Sequence, residues 1–449
     1  MALTKDSKIN YLNIGLMAIT AIFAFFMPFE TFLLAYAFLG PLHYLTEISW
    51  LHDRQYFTKG KYDFVPLLLI GVALSYAAFA KDADFNMEFY NKFVELALFD
   101  KLLVLALFSS LLFAFVKNLP IKIISILFLF IFISGWFSDD NKEANQSSTT
   151  VFALTSLLPT LIHVYLFTGL FMLFGALKSR SKTGLLSVAA FIVLPLILVF
   201  GVPVKAKENY ISNYGKEAYY ADGDGFFRTN ASILDHFNLI KSPVYTNEDF
   251  VAFLKNKDIK NELEKNNVIT QANLNLLVDS LSKIPNKPYL INKQPLDSNF
   301  QVDNILLLFY QKEMLSEYQM KPIPAKIFFG FSLEKYASII YNSTIGIMLM
   351  RFIAFAYMYH YLNWFSKTEI IQWHKVPKIR FVAVITLWLT ACALYAYNYS
   401  LGLSFLFFLS FTHVLLEFPL NMHSIVGIGK ETLSIAKNGF KSPVETKEK

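Results

Sequence analysis

Two histidines in this sequence are each followed by a glutamate four residues later: His43 by Glu47 and His413 by Glu417. On an α-helix, residues four apart differ by about 40° around the axis, so each pair shares a face and can bind one ion. Imidazole suits iron, zinc and copper, and carboxylate suits iron and manganese. The two pairs therefore predict a metal site or a proton relay.

Further histidines occur in or beside other apolar stretches of the chain. Four different stretches each contribute one imidazole at a similar predicted depth, which indicates a single shared site. Two additional candidates lie at the ends of apolar stretches. The predicted metal ligands are His43, His163, His360 and His413, together with His52 and His423.

The predicted catalytic groups are Glu47, Glu417 and Arg351. An ionisable side chain inside hydrocarbon costs about 2.5–3.5 kcal/mol on insertion scales, so each of these residues needs a partner or a function. Arg351 precedes His360 by nine residues, which places it about 13 Å away on the opposite face of an ideal helix. Its partner is therefore expected elsewhere.

A purely structural interpretation stays open. Polar side chains, histidine included, often hydrogen-bond helices together in membrane bundles, and this explanation is favoured for any single histidine. The set of four, two of them with a carboxylate one turn away, favours a metal site or relay instead.

Prolines lie close to three of the site residues. Pro41 is two residues from His43, Pro159 is four from His163, and Pro419 is two from Glu417. A proline frees a backbone carbonyl from the helical ladder and can kink the helix. In a membrane this is tolerated where protein, water or a bound group compensates, so the kinks and the histidines indicate the same region.

The composition is that of a membrane protein. Hydrophobic residues make up 55% of the 449 residues, aromatic residues 17% and charged residues only 16%. The net charge of +6 does not indicate nucleic-acid binding, because the basic residues lie in short loops between apolar runs, where the positive-inside rule explains them. The single cysteine, Cys392, excludes an intramolecular disulfide.

Ten runs are long enough to cross about 30 Å of hydrocarbon, so we predict an all-α transmembrane bundle of about ten spans. The runs are 10–29, 31–51, 64–80, 97–116, 119–137, 150–176, 184–203, 339–365, 379–399 and 401–421. Lysines and arginines in alternate loops predict a bacterial inner-membrane protein with both termini in the cytoplasm. The histidine site then lies in the cytoplasmic half of the bundle.

The predicted organisation has four parts. Residues 1–204 hold seven helices, 205–335 form an extracytoplasmic insertion, 336–425 hold the last three helices, and 426–449 form a cytoplasmic tail. Within the insertion, helices are expected over 247–263 and 270–284. The insertion is a candidate surface for a partner.

The short His/acid motifs resemble those of the Brp/Blh-type membrane carotene dioxygenases. The residues concerned are Pro41-Leu42-His43 with Glu47, and Thr412-His413 with Glu417. In that family one histidine directly follows a proline with an aspartate four residues on, whereas here Leu42 intervenes and glutamate replaces aspartate. The resemblance, limited to these motifs, implies one iron held by histidines from several helices and cleavage of a carotenoid.

Two functions from different classes follow. The first is a membrane metalloenzyme, a non-haem iron oxygenase with zinc or manganese as alternative metals, which acts on a hydrophobic small molecule among membrane lipids. The second is a proton-coupled transporter or channel that uses the same His, Glu and Arg residues as a relay. A third, simpler possibility is an assembly or sensory protein whose histidines only hold helices together.

Overall fold

A computed structural model describes residues 5–82, 86–141, 144–145, 148–201, 204, 211–220, 226–240, 244–283, 288–290, 317–321 and 341–440. The chain forms two compact units. The first comprises Met1–Pro203, Ile211–Asp222 and Met348–Lys449, and the second comprises Val204–Tyr210 and Gly223–Ile347. All candidate site residues belong to the first unit.

Helices make up almost all of the described structure. In chain order they are α1 (Lys5–Phe26), α2 (Pro28–Leu34), α3 (Gly40–Asp53), α4 (Phe64–Asp82), α5 (Met87–Glu95), α6 (Leu98–Phe115), α7 (Leu119–Trp136), α8 (Thr149–Phe152), α9 (Thr168–Lys178), α10 (Lys182–Leu196), α11 (Asn213–Tyr220), α12 (Phe226–His236), α13 (Asn247–Lys255), α14 (Lys257–Lys265), α15 (Gln271–Lys283), α16 (Thr344–Ser366), α17 (Thr368–Ile371), α18 (Lys378–Tyr397) and α19 (Tyr399–Asn438). π-Helical segments occupy Ala35–Leu39, Ala153–Phe167 and Ile197–Gly201, and short 3₁₀ turns occupy Gln55–Phe57 and Asp139–Asn141.

Among the described residues, eight helical stretches are long and apolar enough to cross a membrane, in agreement with the predicted all-α fold. They are Asp6–Phe26, Leu98–Phe115, Leu119–Trp136, Thr149–Lys178, Lys182–Gly201, Thr344–Ser366, Lys378–Tyr397 and Leu401–Asn438. The run predicted at 64–80 forms α4 (Phe64–Asp82), within which Phe64–Ala78 is a shorter apolar stretch than the eight above. The run predicted at 31–51 is divided among α2, a π segment and α3. The count of ten spans and the exported position of the insertion therefore stay predictions.

The helices differ in how much apolar surface they expose. On α7, Phe128 is 69% exposed and Ile131 is 70% exposed. Such large exposed apolar side chains are expected where a helix faces lipid. In contrast, α16 buries two thirds of its apolar stretch, 67%, and is the most enclosed of the eight. The interior of this unit is therefore organised around α16.

Three helices at the centre run in the same direction. Tyr36, just before α3, contacts Ser410 of α19 at 3.1 Å, and farther along α3 the ring of His43 lies beside that of His413. Between α3 and α16, His43 contacts His360, and Thr46 accepts a hydrogen bond from Trp364. Because sequence numbers rise together on both sides of each contact, α3, α16 and α19 are parallel.

The last helix is longer than the predicted span at 401–421. It runs for 40 residues and continues to Asn438, through half of the stretch predicted as a tail from residue 426. Arg180 pairs with Glu431 at 2.8 Å and donates to Ser434 at 3.1 Å, which fixes the end of this helix to the loop before α10.

The second unit has its own apolar core, built by α13, α14 and α15. Its buried residues include Phe250, Leu254, Leu263 and Leu274. The helix predicted at 247–263 is present but is broken at Asn256, whose side chain caps the start of α14. The helix predicted at 270–284 is confirmed as α15. A two-stranded antiparallel ribbon joins β1 (Val244–Thr246) to β2 (Pro288–Leu290).

Candidate metal centre

The helix geometry around His43 is set by the π segment before α3. The π segment Ala35–Leu39 continues into α3 with helical dihedral angles at Leu39 and Gly40, and Pro41 in the first turn of α3 has no N–H to donate to a preceding carbonyl. From there α3 is regular, so His43 and Glu47 share a face and both side chains are buried. The paired positions predicted from the i, i+4 spacing are thus observed.

The segment that carries His163 is strongly distorted. It is a 15-residue π helix, Ala153–Phe167, with Pro159 inside it and a non-helical backbone at Thr160 (φ −118°, ψ −105°). Proline removes one helical hydrogen bond, and π segments occur frequently at functional sites. The kink predicted near Pro159 is therefore present, and His163 lies just after it.

Four imidazoles from four helical segments meet inside the bundle. The Nε2 atoms of His43 and His360 lie 3.1 Å apart, and those of His163 and His413 lie 3.2 Å apart. The ring centroids of His163 and His360 are separated by 5.0 Å, so the two pairs adjoin. All four side chains are buried. The predicted convergence of these four residues is what the fold produces.

The spacing of the ring nitrogens suits one ion. His43, His360 and His413 each offer a ligand atom, and these atoms lie within 4.8 Å of one another. Two nitrogens that bind one metal at about 2.1 Å, with an angle of 90–110° between them, lie about 3.0–3.4 Å apart. Within the cluster, the Nε2 atoms of His43 and His360 fall in this range, and the three histidines together could hold a metal ion. His163 lies next to them, with its Nε2 atom 3.2 Å from that of His413.

The two glutamates approach the histidines from different sides. Glu47 Oε2 lies 3.0 Å from His43 Nε2, the nitrogen that faces the other imidazoles. Glu417 Oε2 lies 3.2 Å from His163 Nδ1, the nitrogen that faces away from His413. Glu47 is therefore placed beside the ligand atoms, whereas Glu417 is placed behind an imidazole.

Several polar atoms of the cluster are close to one another without forming aligned hydrogen bonds. Among the described residues, His43 Nδ1 and both carboxylate Oε2 atoms are buried and have no hydrogen-bond partner. The Glu47–His43 and Glu417–His163 contacts are thus short, but their angles are not those of a hydrogen bond. Buried polar atoms are normally satisfied, so this donor set fits a bound cation better than a self-contained hydrogen-bond network.

Thr168 supports His360 from behind. Its hydroxyl lies 2.7 Å from His360 Nδ1, and both side chains are buried. If His360 uses the Nε2 lone pair for a metal, Nδ1 carries the proton and donates it to Thr168 Oγ1. A metal-bound histidine usually makes such a bond, because it fixes the tautomer and the ring orientation.

Aromatic rings enclose the imidazoles. Tyr44 stacks on His413 at a centroid distance of 4.3 Å, and its hydroxyl lies 2.8 Å from that of Tyr361. Trp364 meets the ring of His43 edge-on at 5.4 Å. These contacts restrict the access of water from two sides and hold the imidazole planes in place.

The remaining predicted site residues lie elsewhere. Arg351 is buried, donates to the Leu198 carbonyl and stacks on the Phe25 ring at 4.2 Å. The His52 side chain is 61% exposed and pairs with Asp53. His423 contacts the Phe57 carbonyl through Nε2 at 3.1 Å. The described cluster thus consists of His43, His163, His360 and His413 with Glu47 and Glu417.

Sequence reasoning missed Thr168 and the two tyrosines. Tyr44 and Tyr361 each directly follow a site histidine, but adjacency along a helix points two side chains in different directions, so it carried no signal. Thr168 directly follows the π segment, whose hydrogen-bond register differs from that of an α-helix, so helix spacing did not predict which way its side chain points.

No family model, curated protein or solved structure matches this chain.

Proposed function

We propose that this protein is an integral membrane metalloenzyme, a non-haem iron oxygenase that acts on a lipid-soluble substrate. The observation that carries the proposal is the meeting of four buried imidazoles with their Nε2 atoms 3.1–3.2 Å apart in pairs. Each imidazole comes from a different part of the chain, so chance packing of one polar helix face does not explain the cluster.

The donor set favours iron. It combines nitrogen ligands with a carboxylate and contains no thiolate, since the single cysteine, Cys392, bonds to the Ala37 carbonyl at 3.9 Å instead. Histidines with a carboxylate and open positions suit non-haem iron, with manganese and zinc as the alternatives. Iron in such a site would supply the redox chemistry that activates dioxygen.

The protein residues then have separable roles. His43, His360 and His413 would bind the ion through ring nitrogens, with Glu47 as the neighbouring carboxylate ligand. Glu417 would orient His163 and stabilise its Nδ1–H, and Thr168 would do the same for His360. The tyrosine and tryptophan rings exclude water, which limits the loss of reactive species.

The surroundings favour an apolar substrate. The cluster is buried in a unit whose helices are long and apolar enough to cross a membrane. A substrate dissolved in the bilayer can enter between helices without crossing water. A polar metabolite would lose its hydration on the same route, at a cost of several kcal/mol.

The proposal is tested by purifying the protein anaerobically and measuring bound metals and oxygen consumption. Iron near one equivalent, together with oxygen uptake on addition of a membrane-lipid extract, supports it. Protein without stoichiometric metal contradicts it. Proton or solute flux in reconstituted vesicles, lost on Glu47→Gln while no metal is bound, would favour the transporter instead.

A further inference from the structure

A lysine and a tryptophan lie at the same level, two helical turns beyond the histidine cluster. On α3, Trp50 follows His43 by seven residues, and at the end of α16, Lys367 follows His360 by seven residues. The Nε2 atoms of these histidines are 3.1 Å apart and the two helices are parallel, so both residues lie about 10.5 Å farther toward the same end. Seven residues rotate a helix by only about 20°, which keeps Trp50 and Lys367 on the faces that carry the histidines.

Trp364 connects these two residues. Its indole ring meets that of Trp50 at a centroid distance of 5.5 Å, and its carbonyl accepts the backbone N–H of Lys367 at 3.2 Å. The Lys367 ammonium is close enough to the His360 ring to interact with it electrostatically. The lysine side chain therefore leans back toward the cluster, as side chains on a helix lean toward its N-terminus.

The polar groups on these two faces have unused hydrogen-bonding capacity. The Trp50 Nε1 atom is buried and has no partner among the described residues. The same holds for the Oδ1 atom of Asn363, which lies between His360 and Lys367 on α16. Buried polar atoms are normally hydrogen-bonded, so these atoms indicate a bound group.

The charge at this end of α3 and α16 is positive. The described residues give Lys367 no acidic partner, and its apolar surroundings lower the pKa of its ammonium to about 8, so it stays mostly charged at neutral pH. The Arg54 guanidinium lies over the Trp50 ring at 4.3 Å. Asp53, at the end of α3, is already bound by Arg380 at 2.6 Å. These charges favour an anion as the bound group.

We propose that Lys367, Trp50 and Asn363 bind the carboxylate of a long-chain acid. This inference rests on the proposed function, because the acyl chain would then extend toward the histidine cluster. The Lys367 ammonium supplies the counter-charge, and the Trp50 indole and the Asn363 amide supply further N–H donors. The Asn363 Oδ1 atom can accept one of the three N–H groups of the ammonium.

The lysine selects the end group of the ligand. A carboxylate gains a counter-charge that offsets the cost of removing it from water. An alcohol of the same length leaves the lysine without a counter-charge, and an alkane leaves every donor of the site unpaired. The phosphate of a two-chain phospholipid shares the anionic chemistry, so the test includes it.

The test measures the thermal unfolding midpoint of the purified full-length protein in detergent micelles. The probes are hexadecanoate, hexadecanol, hexadecane and phosphatidylglycerol. Hexadecanoate should raise the midpoint more than any of the others. Lys367→Met should weaken hexadecanoate binding about tenfold or more, because it removes the counter-charge and keeps a long side chain. Lys367→Arg should retain most of the binding.

Lys375→Met is the matched control. Lys375 lies eight residues after Lys367, between α17 and α18, and is exposed. Its replacement should leave the response to hexadecanoate unchanged. Lys367→Met should leave the stability of the probe-free protein unchanged or higher, because it removes a half-buried cation that has no acidic partner among the described residues.

The proposal is overturned if hexadecanoate produces no larger shift than hexadecanol, or if the shift survives Lys367→Met. Equal losses in Lys367→Met and Lys375→Met would also overturn it, in favour of a diffuse effect of surface charge. A larger shift with phosphatidylglycerol, lost in Lys367→Met, would overturn it in favour of a lipid headgroup.

Metal content is measured on the same samples, so that the two proposals can fail separately. A shift that depends on Lys367 in metal-free protein would contradict only the metalloenzyme. Bound iron without that shift would contradict only the carboxylate site.

Discussion

Glu47 and Glu417 lie on opposite sides of the imidazoles that they contact. Glu47 Oε2 is 3.0 Å from the inward Nε2 atom of His43, whereas Glu417 Oε2 is 3.2 Å from the outward Nδ1 atom of His163. Although the two His-x-x-x-Glu motifs are alike in sequence, the fold thus gives their carboxylates different positions. One is beside the ligand atoms and the other supports an imidazole from behind.

This difference predicts unequal effects of removing the two charges. Glu47→Gln should abolish stoichiometric metal binding, because it neutralises a carboxylate ligand. Glu417→Gln should weaken metal affinity to a smaller extent, because Glu417 contacts His163, which lies next to the three ligand histidines and is not one of them. Competition with a metal chelator measures both. Equal losses for the two variants would contradict the assigned roles.

Thr168 should matter through its hydroxyl and not through its shape. Thr168→Val keeps the volume but removes the acceptor for His360 Nδ1, so we expect about tenfold weaker metal binding. Thr168→Ser should restore the affinity. Thr155, whose hydroxyl donates to the Val151 carbonyl at 2.9 Å, is the control, and Thr155→Val should not change the affinity. If both valine variants bind metal normally, Thr168 has no positioning role.

Gly40 makes room for the paired tyrosine hydroxyls. A Cβ atom at this position would lie 2.8 Å from Tyr44 Oη and 3.3 Å from Tyr361 Oη. Gly40→Ala should therefore lower the free energy of unfolding by about 1–3 kcal/mol, as overpacking does. At Gly15 an added Cβ meets no atom within 4 Å, so Gly15→Ala should be neutral or slightly stabilising. Equal stability of the two variants, measured by titration with denaturing detergent, would contradict this.

A buried ion pair joins α7 to the loop before α4. Lys122 Nζ lies 2.5 Å from Asp63 Oδ2, and the Gly60 N–H also donates to this oxygen at 2.7 Å. Lys122→Met leaves the carboxylate unpaired and should cost about 3–5 kcal/mol of stability. The double variant with Asp63→Leu should recover much of this loss.

The exposed pair Lys92–Glu88 provides the contrast for that prediction. It has a similar separation of 2.8 Å but lies on the surface of α5. Lys92→Met should cause no measurable change, because water already screens the pair. A comparable loss in both lysine variants would show that burial does not determine the effect.

The parts of the fold that follow from regular helix geometry could be predicted from the sequence. Apolar length identified the membrane helices, and the i, i+4 spacing placed Glu47 beside His43. These features depend only on hydrophobicity and on 3.6 residues per turn.

The features that depend on irregular backbone could not be predicted. The π register of Ala153–Phe167 changes the rotation around the helix axis, and with it the directions in which His163 faces Glu417 and Thr168 faces His360. Apolarity likewise did not reveal that the run at 31–51 is interrupted by a π segment. Pro41 and Pro159 indicated irregular backbone near His43 and His163, but a proline alone does not determine the rotation of the helix that follows it.

The most direct measurement is the metal content of the wild-type protein and of four variants, His43→Ala, His360→Ala, His413→Ala and His423→Ala, all purified anaerobically. We predict about one equivalent of iron in the wild type, loss of the metal in the first three variants, and an unchanged content in His423→Ala, whose side chain contacts a backbone carbonyl outside the cluster. Wild-type protein without bound metal, or equal content in all four variants, would contradict the account.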